Sequence, residues 1–155
     1  MTAEQFIEKY RRYNVTRRKL DGWLKKGWIP GARQENGIWY IPAGAQVPYT
    51  RARAKGGIAL YKSIVRACAG GYGVCPALYG ESPERFRVYV NQLIQAGYLI
   101  LHTIEGIDYY APSLKCLDAG DLTDRELTAA LKKCVEALSP AIEAAAKGAV
   151  KGCAA

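Results

Sequence analysis

The chain has 155 residues, of which 50% are hydrophobic and 23% charged, with a formal net charge of +8 at pH 7. These proportions exclude a wholly disordered chain and predict one or two compact units. No apolar run approaches the roughly 18 residues that cross a bilayer, and the charged, amphipathic N-terminus is unlike a signal peptide. We therefore expect a cytoplasmic protein without a membrane partner.

The spacing of cysteine and histidine argues against a metal site. The five cysteines include no CxxC pair, and His102 is the single histidine. A zinc ribbon or finger needs more ligands than these at defined spacing. Phosphate-loop, dinucleotide-binding and nucleophile-elbow motifs are also missing from the sequence. We expect buried, reduced thiols, no metal, no cofactor and no enzyme activity.

The positive charge is concentrated in the first third of the chain. Residues 1–55 carry twelve Lys and Arg against four Asp and Glu, whereas residues 56–115 carry five against four. Residues 116–155 carry five against six. This asymmetry indicates a polyanionic partner for the N-terminal segment, with nucleic acid favoured over an anionic membrane surface. A merely solvated basic face is the alternative.

The N-terminal segment is predicted to form two helices, over residues 3–12 and 17–26. Thr16 is a good N-cap for the second helix, and Gly27 is a good C-terminal stop. Gly22, a poor residue for a helix interior, would let this helix approach another surface closely. The inward face of the second helix carries Leu20, Trp23 and Leu24. Its outward face carries Arg18, Asp21, Gly22 and Lys25, flanked by Arg17, Lys19 and Lys26.

A hairpin is predicted directly after these helices. Residues 29–33 and 38–41 are short strand-like runs, and Asn36-Gly37 between them is a strong turn signal. Pro42 then ends the second run. Two helices followed at once by a hairpin is the plan of a winged helix-turn-helix.

The segment VTRRKLDGWLKKGWIPGARQENGIWYIP resembles the excisionase-like and MerR-like winged helix-turn-helix family, and the resemblance extends over residues 3–48. Eight positions fit the family spacing together: Val15, Trp23, Gly27, Ile29, Pro30, Trp39, Ile41 and Pro42. Members bind duplex DNA with the second helix in the major groove and the wing against the neighbouring backbone. The resemblance implies that Thr16, Arg17, Arg18 and Lys19 lie at the groove-entering end of the helix. It places Arg33, Gln34 and Asn36 on the wing.

The chemistry of these side chains suits that role. Arg and Lys at a helix N-terminus can pair with phosphate or contact guanine O6 and N7. Lys25 and Lys26, at the far end of the helix, are expected to contact phosphate. Trp23 and Trp39 could stack on bases, but their inward positions favour core packing. Residues 50–57 are interpreted as a basic linker, in which Arg51 and Arg53 are further candidate DNA contacts.

Residues 58–115 are predicted to form a second module, with one helix around Ile64, another that Ser82-Pro83 opens and that includes Val90, and a hairpin turning at Glu105-Gly106. The stretch FRVYVNQLIQAGYLILHTIEGIDYYAPS resembles, more loosely, the last helix and wing of MarR-like or PadR-like winged helices. Arg85 and Arg87 are secondary candidates for phosphate contact. Because the local charge is only +1, a protein-binding or structural role is the favoured expectation for this module.

The segment 116–155 is predicted to contain C-terminal helices. Thr123 and Glu126 form a capping box, and a second, Ala-rich helix is expected to begin at Ser139-Pro140. The first helix has one apolar stripe, formed by Leu127, Leu131, Cys134, Val135 and Leu138. This stripe could fold back on the second module or form a dimer. A homodimer is slightly favoured.

The sequence therefore predicts an α+β protein, mainly α with small hairpin wings. It would consist of two tandem winged-helix modules, residues 1–49 and 58–115, joined by the linker 50–57 and followed by C-terminal helices. The favoured function is sequence-specific binding of double-stranded DNA, as a transcriptional regulator or excisionase-type factor of a bacterium or mobile element. The alternative is a phage- or plasmid-borne inhibitor, such as an anti-CRISPR or other counter-defence protein, whose first module autoregulates its own gene and whose residues 56–155 bind a protein target. A small binding module for RNA or a nucleoprotein is the third possibility.

Overall fold

The computed structural model describes residues 1–50, here the first unit, and residues 57–134, here the second unit. None of the helices in these ranges is long and apolar enough to cross a membrane. The helices are α1 (Ala3–Lys9), a 3-10 turn (Arg11–Tyr13), α2 (Arg17–Lys26), α3 (Gly57–Ala69), α4 (Pro76–Tyr79), α5 (Pro83–Gln95), α6 (Leu114–Gly120) and α7 (124–134). The strands are β1 (Arg33–Glu35), β2 (Ile38–Tyr40), β3 (Leu99–Ile104) and β4 (Ile107–Pro112). Within the described residues the fold is thus mixed, with helices and two antiparallel hairpins.

Capping fixes the position of α2. The Thr16 hydroxyl accepts a hydrogen bond from the Lys19 N–H at 3.2 Å, and Gly27 ends the helix with a left-handed φ of +73°. The bounds predicted for this helix are confirmed. The first helix was predicted too long, since α1 ends at Lys9. Tyr10 leaves the helical conformation there and donates its hydroxyl proton to the Ala45 carbonyl.

The first hairpin turns where the sequence indicates. Asn36 and Gly37 have φ angles of +51° and +79°, as a type I′ turn requires. The strand predicted over residues 29–33 is wrong in its position, because β1 begins only at Arg33. Ile29 lies in the core of the first unit instead, with only 2% of its surface exposed. That core consists of Ala3, Phe6, Val15, Leu20, Leu24, Ile29, Ile41, Ala45 and Val47.

The second unit is built around α3, whose buried residues face α6 and β4. Ser82 caps α5, as its spacing before Pro83 predicts. The second hairpin turns at Glu105 and Gly106, both with positive φ. Helix α6, a short helix capped by Ser113, is not predicted from the sequence.

The two units pack against each other directly. Trp28, in the first unit, is a member of the core of the second unit, and Trp23 packs against both cores. The Gly73 N–H donates to the Val47 carbonyl at 2.8 Å, and the Tyr49 N–H donates to Gly73 at 3.1 Å. The units therefore share apolar packing and main-chain hydrogen bonds. Arg51 and Arg53 of the predicted linker lie outside the described residues.

The apolar stripe of α7 is covered by the chain itself. Leu127 and Leu131 are fully buried in the core of the second unit, and Cys134 packs against that core. The prediction of a dimer interface is therefore wrong for Leu127 and Leu131, because burial within one chain leaves no apolar surface on them for a partner. Val135 and Leu138 lie outside the described residues.

Candidate nucleic-acid interface

Helix α2 separates an apolar face from a basic one. Leu20 and Leu24 are buried and Trp23 is half-buried, whereas Arg18 and Lys25 are exposed. This division follows from the helical spacing of the apolar residues. Trp23 and Trp39 are both half-buried and pack against the core of the first unit, in agreement with the packing role predicted for them.

Arg17 is held by two carboxylates. Its Nη1 lies 2.7 Å from Glu4 Oε1 on α1, and its Nε lies 3.1 Å from Asp21 Oδ1 one turn further along α2. The hydrogen bonds that Arg17 donates, first to Asp21 and then to Glu4, raise the pKa of Arg17. The pKa of Glu4 is lowered by hydrogen bonding to the backbone and then by Arg17. Arg17 thus ties the start of α2 to α1, and its charge is already matched by two carboxylates.

Arg18 and Lys25 differ from Arg17 in having no acidic partner. No Asp or Glu of the described residues lies within ion-pair distance of either side chain. Since both are exposed, their charges are available to an external anion. They lie seven residues apart on α2, or about two helical turns, which places them on the same side of the helix.

The remaining basic residues of α2 have neighbours that orient them. Lys19 Nζ donates to the Asn14 carbonyl at 3.3 Å. Lys26 Nζ lies 4.5 Å from the centre of the Trp28 ring, a cation–π contact. Thr16 uses its hydroxyl to cap the helix. These contacts leave the charges of Lys19 and Lys26 unneutralised, because neither partner is an anion.

The hairpin β1–β2 presents two different faces. Arg33 is paired across the strands with Tyr40, and Gln34 is paired with Trp39. Arg33 also lies 3.5 Å from the Glu35 carboxylate, although both side chains remain largely exposed. Asn36 is exposed at the turn. The three predicted wing residues are therefore accessible, but Gln34 shares the face of the half-buried Trp39.

A cleft beside α2 was not foreseen from the sequence. It has a volume of about 540 Å³ and lies between α2, residues 47–50 and Tyr72. Its lining includes Arg18, Gly22 and Lys26, which recur every fourth residue along α2. The opposite wall comes from Tyr49 and Tyr72, far away in the sequence. The spacing of Arg18, Gly22 and Lys26 is visible in the sequence. The position of the opposite wall, however, depends on how the two units pack.

The candidate basic residues of the second unit are differently placed. Arg85 Nε lies 3.6 Å from Glu81 Oε2, and a hydrogen bond with Tyr89 raises the Arg85 pKa. Arg87 is exposed and lines a cleft of about 280 Å³ together with Asp108. Each of these arginines thus has a carboxylate in its surroundings, which weakens the case for phosphate contact.

The cysteines of the described residues are free thiols. Cys68, Cys75 and Cys116 are buried, and Cys134 is half-buried. Burial raises the pKa of Cys68 to about 12 and that of Cys116 to about 11, so both remain protonated at neutral pH. The prediction of buried thiols is confirmed for Cys68, Cys75 and Cys116, and Cys153 lies outside the described residues. Within the described ranges, no group of three or more His, Cys, Asp or Glu side chains could hold a metal ion.

Comparison with known proteins gives no match: no family model, no curated protein and no solved structure resembles this chain significantly. The family resemblance of residues 3–48 therefore remains a prediction. The features that indicate a function are the exposed charges of α2, the accessible hairpin β1–β2 and the cleft.

Proposed function

We propose that this protein binds double-stranded DNA through α2 and the hairpin β1–β2. In this proposal the two units are tandem winged-helix modules, and the protein acts as a transcriptional regulator or excisionase-type factor of a bacterium or mobile element. Helix α2 lies in the major groove, and the hairpin lies against the adjacent backbone. The protein uses no cofactor and performs no catalysis.

The observation that carries the proposal is the pair of unneutralised charges on α2. Arg18 and Lys25 are exposed on one side of the helix without acidic partners among residues 1–50 and 57–134, and Lys19 and Lys26 flank them. A helix fits the major groove of B-DNA, where Arg can pair with guanine O6 and N7. Lys25, two turns from Arg18, is suited to the phosphate backbone.

Arg17 has a positioning role in this proposal. Its ion pairs with Glu4 and Asp21 hold α1 against the start of α2. Exposed pairs of this kind contribute little stability each, so a phosphate could compete for the guanidinium. Base contact is assigned to Arg18, because its guanidinium need not first leave a carboxylate.

The experiment that tests the proposal measures affinity for a mixed-sequence DNA duplex as salt is varied. About four to six phosphate contacts should give a log–log slope of roughly −4 to −5. Lys25→Gln should reduce the slope by about 1. The matched control is Lys132→Gln, which removes the same charge from an exposed position on α7. A slope near zero, or equal effects of the two substitutions, would contradict the proposal.

A protein-binding role of the second unit is the second candidate function, corresponding to an inhibitor. Ile100 and Ile104, which lie on the same face of β3, are each almost half exposed, and exposed apolar side chains on one face can mark a protein-binding surface. In an inhibitor, activity against the target should survive neutralisation of Arg18 and Lys25. In a DNA-binding regulator, the same substitutions should abolish activity.

A further inference from the structure

The cleft beside α2 has a composition that the proposed duplex interface does not explain. Its walls come from α2 on one side and from residues 47–50 and Tyr72 on the other. Its volume of about 540 Å³ is within the range of sites that hold small organic ligands. The two units build it jointly, through the hydrogen bonds that join Val47 and Tyr49 to Gly73.

The charge of the cleft selects an anion. Arg18, Lys19 and Lys26 line it, and none of the described lining residues is Asp or Glu. Lys26 lies over the Trp28 ring, and Lys19 is held by the Asn14 carbonyl, so both ammonium groups keep their full charge at the site. A phosphate would be the strongest partner for such a group of cations.

The same cleft offers aromatic surfaces. The Tyr72 ring lies 5.2 Å from Tyr13 and 5.3 Å from Tyr49, measured between ring centres, and all three line the cleft. Trp23, which is half-buried, also lines it. Flat ligands stack on such rings, and base–aromatic stacking is the common way in which proteins hold unpaired bases.

Gly22 keeps the cleft open. A Cβ atom built at this position would have no neighbour within 4 Å, so the α2 wall has free space in front of it. The glycine lies one turn from both Arg18 and Lys26. A bulky side chain at residue 22 would therefore project between these cations without disturbing the core.

We propose that this cleft binds a nucleotide, with its phosphate on Arg18, Lys19 and Lys26. The base lies against the rings of Tyr49 and Tyr72. The nucleotide is either a unit of an unpaired DNA strand or a free mononucleotide, since both offer the same phosphate and base. The site goes beyond the proposed function, because it takes an unpaired nucleotide and does not depend on binding to a duplex.

The test uses the full chain and three probes: a short single-stranded oligothymidylate, AMP and inorganic pyrophosphate. Binding is followed by quenching of tryptophan fluorescence, because Trp23 and Trp28 line the cleft. Gly22→Met fills the cleft, and Gly22→Ala is the matched control. Tyr49→Ser removes a stacking surface, and Tyr49→Phe retains it. Thermal melting of each variant confirms that it is folded.

We expect the oligothymidylate to bind, with about tenfold weaker affinity for Gly22→Met and for Tyr49→Ser. Gly22→Ala and Tyr49→Phe should bind like the unchanged protein. Binding of AMP with the same dependence on residue 22 would identify a free nucleotide as a ligand. Binding of the oligothymidylate alone would identify the strand.

Three results would overturn the proposal. One is unchanged affinity of Gly22→Met for the oligothymidylate. Another is pyrophosphate binding as tight as that of the nucleotides, together with no effect of Tyr49→Ser, because the cleft would then be an anion site only. The last is a lack of binding to both the oligothymidylate and AMP. Lys25 lies outside the cleft, so its substitution distinguishes this site from the duplex interface. Lys25→Gln should weaken duplex binding and leave oligothymidylate binding unchanged.

Discussion

The two units use their basic side chains differently. In the second unit, Lys62 Nζ lies 2.8 Å from Asp124 of α7, and Arg66 and Lys115 donate to main-chain carbonyls at 3.3 and 2.8 Å. These side chains fasten neighbouring helices and loops to each other. In the first unit, Arg18 and Lys25 are exposed and have no acidic partner among the described residues. Lys62, Arg66 and Lys115 therefore fasten parts of the second unit to each other, whereas Arg18 and Lys25 leave exposed charge on α2 of the first unit.

This difference shows why net charge is an incomplete guide to an interface. The first third of the chain holds most of the positive charge, yet two of its candidate contacts, Arg17 and Arg33, are paired with carboxylates. What matters for an anionic ligand is the charge that has no internal partner. By that criterion, the strongest candidates on α2 are Arg18 and Lys25.

The largest expected effect comes from breaking the contact between the units. Trp28→Ala removes a side chain that is only 8% exposed and lies in the core of the second unit. We expect a loss of about 3 to 5 kcal/mol in the free energy of unfolding, measured by chemical denaturation. Trp28→Phe should lose much less. Equal stability of Trp28→Ala and the unchanged protein would show that the units do not depend on this packing.

The next largest expected effect is a loss of stability when a buried leucine of α7 is truncated, which tests whether α7 belongs to the second unit. Leu131→Ala should cost about 2 to 5 kcal/mol of stability, because the side chain is fully buried against its own chain. Leu117→Ala, at a position that is 45% exposed on α6, is the control and should change little. Analytical ultracentrifugation should give the same mass for the unchanged protein and for Leu131→Ala. A change of mass on substitution would restore the dimer interpretation of this leucine.

The features that the sequence predicted well are those set by a few neighbouring residues. Thr16, Ser82 and Thr123 accept the capping hydrogen bonds expected of them, since each cap involves an N–H three residues ahead. The turns at Asn36-Gly37 and Glu105-Gly106 are likewise local, because each contains a glycine, which adopts a positive φ angle without steric cost.

The features that were missed depend on contacts between distant parts of the chain. The cleft needs Tyr72 beside α2, and neither residue type nor periodicity predicts that proximity. The pairing of Arg17 with Glu4 depends on how α1 packs against α2. Helix α6 is short, and the exposed Leu114 and Leu117 obscure its apolar periodicity.

A smaller effect, on the affinity for duplex DNA, is expected from substituting two neighbouring arginines of α2. Arg17 is paired with carboxylates, and Arg18 has no such partner among the described residues. Arg18→Ala should weaken duplex binding by about 1 to 3 kcal/mol and reduce sequence preference if its side chain pairs with guanine. Arg17→Ala should cost less affinity, because Arg17 is already engaged with Glu4 and Asp21. Titrations with a selected duplex and with a random duplex measure both quantities. A larger loss for Arg17→Ala would assign base contact to the paired arginine instead.

The smallest expected effect is a change in stability when alanine replaces Gly22 within α2 or Gly27 at the end of this helix. Gly22→Ala should stabilise the protein by about 0.4 to 1 kcal/mol, because alanine restricts the unfolded chain and suits a helix interior. Gly27→Ala should destabilise it by a larger amount, because the φ of +73° at Gly27 strains any residue with a Cβ. Neither added methyl would have a neighbour within 4 Å, so backbone conformation is the main difference between the two substitutions. Thermal melting of the two variants should show shifts of opposite sign. Shifts of the same sign would mean that α2 does not end at Gly27, and Lys25 and Lys26 would then need a different placement relative to Arg18.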